Sequence, residues 1–124
     1  MEKHIAFTHS PILVPALARP SREIGAAVEF SGIVREMENG RALAGLHYEA
    51  YEPMAARQLD RIFDELNAAP SCAAVHFIHR LGWVPVGEAS LFVRVLAAHR
   101  GAALRFLAAA IDRMKADVPI WKRG

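Results

Sequence analysis

Basic side chains stand at both ends of one amphipathic segment of the chain. Residues 101–116 carry apolar side chains at helical spacing, and His99 and Arg100 come just before the first turn. The start of a helix offers free N–H groups to anions, and an arginine there adds a bidentate grip on phosphate or carboxylate. His99 and Arg100 therefore either bind an anion or only cap the helix, and their position favours neither interpretation.

Further cations lie at the end of this segment and elsewhere in the chain. Lys115 would fall in the last helical turn, where the helix dipole favours any cation. Residues 118–123 leave the helix as an extended segment, in which Trp121 either anchors Lys122 in a defined place or only supplies hydrophobic cover. Arg35 ends a segment of alternating polarity and, taken alone, is typical of a solvated strand edge.

The spacing of these groups limits any site that combines them. A helix from residue 101 to 115 spans roughly 20 Å at about 1.5 Å per residue. Lys115 therefore cannot approach His99 and Arg100 of the same helix. A site that uses both groups needs the 118–123 segment to fold back, or a second copy of the chain.

The elements that position these residues mix hairpins with helices. Asn39-Gly40 predicts a hairpin that pairs residues 26–35 with 43–51 and puts Arg35 near its tip. Ser10-Pro11 indicates the start of a short helix that ends at Arg19-Pro20-Ser21. The predicted strands are 3–8, 26–35, 43–51, 73–81 and 89–98, and the predicted helices are 11–18, 53–68 and 101–116, with a turn over 82–87. This order indicates an α+β domain, in which helices pack on a largely antiparallel sheet.

Composition limits the class of protein. The chain has 124 residues, of which 53% are hydrophobic and 23% are charged, which suits one compact domain and excludes a disordered chain. The formal net charge of +2 is too small to argue for nucleic-acid binding. Cys72 is the one cysteine, so no disulfide can form within the chain, which fits a reducing compartment. No signal peptide or membrane span is evident in the sequence. We therefore expect a cytoplasmic protein without membrane contact.

Common catalytic motifs are absent from the sequence. There is no Gly-rich phosphate loop, no HExxH motif and no carboxylate pair at a catalytic spacing. His76 and His79 fall on opposite faces of one predicted strand, so they are poor joint metal ligands. We therefore expect neither a metal site nor a bound cofactor.

Six segments, taken in order, resemble the molybdopterin synthase catalytic (large) subunit family. The resemblance covers about residue 25 to the end, and the ordered set is more specific than any one segment. The segments are Gly25 to Arg35, Leu46 to Tyr51 with Pro53-Met54, Ile78 to Gly82, Ala98 to Arg100, Met114-Lys115, and Val118 to Arg123.

The resemblance implies an α/β hammerhead-like domain over residues 1–124 and a role in molybdenum cofactor biosynthesis. Family members are sulfurtransferases that convert a cyclic pyranopterin monophosphate into molybdopterin. Their sulfur comes from the C-terminal thiocarboxylate of a small ubiquitin-like subunit. They assemble as a dimer of catalytic subunits with a small subunit at each end, which gives a heterotetramer.

Carried over to this chain, the resemblance implies that Lys115 and Lys122 are catalytic. A cationic pocket suits both the substrate's phosphate and the thiocarboxylate, and it stabilises charge that develops on oxygen. The residues implied to bind substrate are Arg35, His99, Arg100, Lys115, Lys122 and Arg123.

Two features depart from the family pattern. Family members commonly continue past the Trp-Lys-Arg segment with a basic stretch, whereas this sequence ends at Gly124. Such an end is expected of a truncated chain, of a chain that needs no tail, or of a divergent paralogue. Ile33 stands where some relatives carry a basic residue. The alternative function is therefore a catalytically impaired paralogue that only binds the small partner subunit or an anionic ligand.

Overall fold

The computed structural model describes residues 1–18 and 21–124 as two helices and nine strands. The helices are α1 (Glu52–Leu66) and α2 (Arg100–Asp117). The strands are β1 (Glu2–Thr8), β2 (Ala26–Ile33), β3 (Met37–Glu38), β4 (Arg41–Ala42), β5 (Gly45–Ala50), β6 (Cys72–Arg80), β7 (Gly82–Pro85), β8 (Ala89–Ala97) and β9 (Ile120–Arg123). The predicted α+β class with mostly antiparallel pairing is confirmed, although β1 runs parallel to β6.

A four-stranded sheet in the order β1-β6-β8-β2 forms the centre of the fold. β8 pairs antiparallel with both β6 and β2, and eight of its nine residues are buried. Its run Leu91-Phe92-Val93 is apolar on both faces, as expected of a strand that is covered above and below. The same strand buries a charge at Arg94, whose Nε donates to a Glu29 carboxylate oxygen at 2.7 Å on β2.

Both helices pack on one face of this sheet and bury the main core. α1 begins with Pro53 in its first turn, where the missing N–H removes no helical hydrogen bond. Phe63 of α1 and Phe106 of α2 meet with ring centroids 5.8 Å apart, and Phe77 of β6 lies beside Phe63 at 6.1 Å. These contacts hold α2 at a fixed height over the sheet, so the two ends of the helix have defined positions.

A three-stranded sheet in the order β7-β5-β9 encloses a second, smaller core. β5 lies in the middle, antiparallel to both neighbours, and its Leu46 packs with Val84 of β7 and with Val34. Gly45 is required at the start of β5, since a Cβ there would lie 2.5 Å from the Val84 carbonyl oxygen and 2.6 Å from the Trp83 ring.

Two turn predictions are only partly right. Asn39 and Gly40 adopt the positive φ angles of 51° and 76° that a tight hairpin needs, but the hairpin joins only β3 and β4. β5 does not return along β2, because its apolar side chains are buried in the second core rather than against the main sheet. The predicted turn over 82–87 is wrong for its first four residues, because Gly82–Pro85 form β7. The observed turn consists of Val86 and Gly87.

The predicted helix over residues 11–18 is wrong, since these residues have no regular secondary structure. Pro15 falls inside that segment, where a proline removes a hydrogen-bond donor and clashes with the carbonyl four residues back, and so short a helix cannot offset the loss. The segment is held instead by Arg94, whose Nη1 donates to the Ala16 carbonyl at 3.4 Å. The predicted end at Arg19-Pro20-Ser21 lies partly outside the described residues.

The remaining elements follow the periodicity of the sequence. The strands predicted at 3–8, 73–81 and 89–98 and the helices at 53–68 and 101–116 are observed with ends shifted by one or two residues. β2 ends at Ile33, two residues before the predicted end, after an irregularity in its pairing with β8. Neither helix of the described ranges combines the length and apolarity that a membrane span requires.

Replacing Phe106 by alanine tests the main core. The side chain is 5% exposed and packs on Phe63, so truncation leaves a cavity between the helices. We expect the free energy of unfolding, measured by urea denaturation, to fall by about 3–5 kcal/mol. Leu104→Ala on the exposed side of the same helix is the control. A loss below about 1 kcal/mol for Phe106→Ala would contradict this packing.

Candidate active site

A cleft of about 660 Å³ opens where the two sheets meet the C-terminal end of α2. The buried side chains of Leu46, Leu91 and Met114 give its floor an apolar lining. Charged and polar side chains surround that floor. A concave site of this size with an apolar floor and a few polar groups is typical of small-molecule binding.

Three of the site residues suggested by the sequence line this cleft together: Arg35, Lys115 and Lys122. Arg35 follows the end of β2, Lys115 lies in the last turn of α2, and Lys122 lies within β9. All three residues are exposed, so their charges act on whatever enters the cleft. Cations that converge on one concave surface raise the local concentration of anions there.

The return of residues 118–123 brings Lys122 to the cleft. Val118 ends α2, and β9 then runs antiparallel to β5 with Lys122 opposite Tyr48. The Tyr51 amide donates to the Pro119 carbonyl at 3.3 Å, which ties the corner to the end of β5. Trp121 is 58% exposed, so backbone pairing rather than burial of its ring anchors the segment. Of the two arrangements that the sequence left open, residues 118–123 do fold back, but their return brings Lys122 to Lys115 and leaves His99 and Arg100 outside the cleft.

His99, Arg100 and Arg123 lie outside the cleft. His99 and Arg100 are exposed at the N-terminus of α2, whose 18 residues span about 27 Å. Within one chain, His99 and Arg100 therefore stay far from Lys115. The length of the predicted helix already implied this separation. Arg123 points to the opposite face of the small sheet, where its Nη2 lies 2.8 Å from a Glu49 carboxylate oxygen.

His79 lines the cleft, although the sequence suggests it only as a poor metal ligand. It is 3% exposed at the C-terminal end of β6, and the Tyr48 ring meets it edge-on at 5.1 Å. Its Nδ1 lies 2.8 Å from the Arg80 carbonyl oxygen. Burial lowers the pKa of His79, and the hydrogen bond to Arg80 opposes that shift only in part. The cleft therefore holds a neutral imidazole below a group of cations.

Glu38 is a second lining residue that the sequence does not single out. It accepts a 2.5 Å hydrogen bond from the Lys122 Nζ. The β3–β4 hairpin presents Glu38 to β9, a long-range placement that no local pattern reveals. Because the Lys122 side chain is 52% exposed, the pair adds little to stability. Its main effect is to fix the position of Lys122 and to offset part of the positive charge.

The described residues include no group of three His, Cys, Asp or Glu side chains that could hold a metal ion. His76 and His79 lie on opposite faces of β6, as their spacing predicts. His76 stacks on His4 with ring centroids 4.4 Å apart, whereas His79 faces the cleft.

Comparison with protein families identifies the relatives of this fold and cleft. A family model described as MoaE protein matches residues 7–117, which is nearly the whole chain. The chain belongs to the MoaE family. The resemblance to a known family that the sequence segments indicate is therefore confirmed, and the matched range includes all of these segments except residues 118–123.

Curated relatives of this MoaE chain are called molybdopterin synthase catalytic subunit. The protein of that name from Oryza sativa subsp. indica is 46% identical over 99 residues, which cover 80% of this chain and 51% of the relative. The chain thus spans about half the length of the rice relative.

Solved structures extend the likeness to three dimensions. Molybdopterin synthase from Staphylococcus aureus superposes with a TM-score of 0.81 at 34% identity, covering 94% of this chain and 86% of that chain. A complex of subunits 1 and 2 of the molybdopterin-converting factor from Helicobacter pylori 26695 matches with a TM-score of 0.69 at 27% identity, covering 82% and 66%. The MoaE fold of the chain is therefore shown by sequence and by structure.

Replacing Glu38 by glutamine tests the electrostatics of the cleft. The change removes a negative charge next to Lys122, so an anion should bind more tightly. We expect the Kd for inorganic phosphate to fall about two- to fivefold at low salt, measured by calorimetry. Glu36→Gln, an exposed carboxylate on the same segment outside the cleft lining, is the control. Weaker phosphate binding by Glu38→Gln would instead mean that the ion pair holds Lys122 in its anion-binding position.

Proposed function

We propose that this MoaE chain is the catalytic subunit of a molybdopterin synthase. It transfers sulfur from the thiocarboxylated C-terminus of a small ubiquitin-like subunit to a cyclic pyranopterin monophosphate. Two such transfers, each leaving a carboxylate on the small subunit, form the molybdopterin dithiolene. The observation that carries the proposal is the cleft in which Arg35, Lys115 and Lys122 surround an apolar floor. Relatives of the same name and a matching family model support it further.

The charge of the cleft suits both reactants. The substrate carries a phosphate and the sulfur donor ends in an anionic thiocarboxylate, so bringing the two together requires that their repulsion be offset. Arg35 offers a fork of donors to a phosphate, whereas Lys115 and Lys122 act as compact positive charges. We assign catalysis to the two lysines, because preorganised cations stabilise negative charge that develops on oxygen during transfer.

We also propose a small sulfur-carrier subunit as the partner. The two-subunit complex from Helicobacter pylori supports this step, since its fold match includes most of this chain. The cleft reaches the surface beside exposed residues, among them Arg35 and Trp121, so an extended tail has access from solvent. The tail would place its terminal carbon and sulfur near the lysines.

We further propose that two copies of this chain form the core of a heterotetramer. His99 and Arg100 lie about 23 Å from Lys115 along α2, so they complete an anion site only in the cleft of another copy. For the compartment we propose the cytoplasm, where the unpaired Cys72 would stay reduced.

An assay of sulfur transfer tests the proposed activity. The protein is mixed with thiocarboxylated small subunit and the cyclic phosphate substrate, and dithiolene product is measured. We expect Lys115→Ala to lower turnover at least about a hundredfold. Its free energy of unfolding should stay within about 0.5 kcal/mol of the original value, because Lys115 is exposed.

Arg105→Ala is the matched control, since Arg105 is an exposed cation on the same helix outside the cleft lining. Absence of product from the unaltered protein, with an intact two-subunit complex, would overturn the proposed activity and favour the binding-only alternative. A large stability loss in Lys115→Ala would make that lysine structural.

Complementation between two inactive variants tests the shared site. If His99 and Arg100 act in the partner's cleft, a mixed dimer of Lys115→Ala and Arg100→Ala chains contains one site with both changes and one site with neither. Random mixing of the two inactive variants should then restore about a quarter of the activity. A mixture of Lys115→Ala and Lys122→Ala chains is the control and should stay inactive, because both lysines belong to one cleft. No recovery in the first mixture would contradict sharing.

A further inference from the structure

The floor of the cleft holds an imidazole for which the proposed chemistry has no use. We infer that His79 orients the bound pterin by accepting a hydrogen bond, through Nε2, from an N–H group of the ring. The inference rests on the proposed function, since it names the part of that substrate which the floor recognises. It makes His79 a specificity-determining residue that contacts the substrate without taking part in sulfur transfer.

The contact of Nδ1 decides which ring nitrogen carries the proton. A backbone carbonyl oxygen accepts hydrogen bonds and cannot donate, so the 2.8 Å contact with the Arg80 carbonyl requires a proton on Nδ1. In the neutral ring, Nε2 then keeps its lone pair. Because Nδ1 is the atom engaged by the protein and His79 lines the cleft, Nε2 is the nitrogen left for a ligand.

The surroundings keep this ring neutral. His79 is 3% exposed, and burial lowers its pKa. The other ionisable groups lining the cleft are Arg35, Glu38, Tyr48, Lys115 and Lys122. Three of these are cations, and the carboxylate of Glu38 is engaged by Lys122, so none of them offers a counter-charge to a protonated ring. An acceptor therefore persists below a cationic rim at neutral pH.

Packing holds the imidazole in one orientation. The Tyr48 ring lies edge-on to it at 5.1 Å, and the Phe77 ring is tilted against it at 6.3 Å. A ring fixed from two sides and by its own Nδ1 loses little freedom when it binds a ligand, so its hydrogen bond is directional.

The arrangement matches a ligand with two unlike ends. The exposed cations suit a phosphate, whereas the buried floor of Leu46, Leu91 and Met114 suits a flat ring. The pyrimidine end of a pterin carries N–H donors and needs an acceptor when it leaves water. The neutral imidazole on the floor and the cations at the rim therefore set the ring inward and the phosphate outward.

Two substitutions separate recognition from structure. His79→Asn keeps an amide N–H near the Nδ1 position, where it donates to Arg80, but it has no group at the Nε2 position. His79→Gln places an amide oxygen near the Nε2 position instead. At neutral pH we expect His79→Asn to raise the Kd for the cyclic pyranopterin monophosphate about ten- to hundredfold, and His79→Gln to recover part of the loss. The Kd for inorganic phosphate should stay within about twofold in both variants.

The pH dependence of binding gives an independent readout. The pKa of His79 is lowered, so the ring is neutral through the usual histidine range and becomes charged only as the pH falls through that lowered value. Protonation turns Nε2 from an acceptor into a donor, so pterin affinity should drop on the acid side. The drop is measured in the Kd of the pterin itself at each pH, because the phosphate of a cyclic diester keeps a single negative charge over this range. It should be absent in His79→Asn.

The outcomes distinguish this inference from the proposed function. Unchanged pterin affinity in His79→Asn, with normal turnover by the unaltered protein, overturns the inference alone. If the unaltered protein binds phosphate but not the pterin, the proposed function fails and the inference with it. Loss of phosphate and pterin binding together in His79→Asn shows a structural role and overturns the inference. If His79→Asn does not fold, the pterin affinity of His79→Gln decides. An affinity that is weaker than that of the unaltered protein but still measurable supports the inference. An unchanged affinity, or complete loss of binding, overturns it.

Discussion

The antiparallel pairing of β9 with β5 is the interaction on which the cleft depends. The Val118 amide closes α2 by donating to Met114, and Pro119 then blocks any continuation of the helix. The chain turns back over the small sheet and sets Lys122 opposite Tyr48. Without this return, the last turn of α2 would face solvent and the cleft would lose one wall. Four residues of strand therefore turn a helix end into a binding site.

The same pairing sorts the charges at the end of the chain. Successive side chains of a strand point to opposite faces, so Lys122 reaches the cleft while Arg123 turns away to Glu49. The charge that enters the cleft is thus set by the register of β9 on β5. A shift of one residue would exchange the two cations and replace the Lys122–Glu38 contact with a different one.

Local patterns predict the parts of this molecule that local physics determines. The helices at 53–68 and 101–116 follow from their periodicity, and the strand at 89–98 follows from its continuous apolar run. The length of α2 alone separates His99 from Lys115. The pairing of β5 with β7 and β9 could not be predicted, because each of these strands has four to six residues and its partner lies far along the chain. Glu38 and His79 were missed for the same reason, since only the tertiary fold brings them to the cleft. The predicted helix at 11–18 gave too little weight to Pro15.

Helix α2 acts as a rigid spacer, and this constrains any assembly of the chain. It holds two cationic groups about 23 Å apart, Lys115 inside the cleft and Arg100 outside it. Contacts with Phe63 and with the main sheet along the helix prevent it from bending to join them. If two copies are related by a two-fold axis that brings Arg100 of one to Lys115 of the other, the same operation brings the reverse pair together. One interface then completes two equivalent clefts at once, and the length of α2 sets how far the copies must overlap.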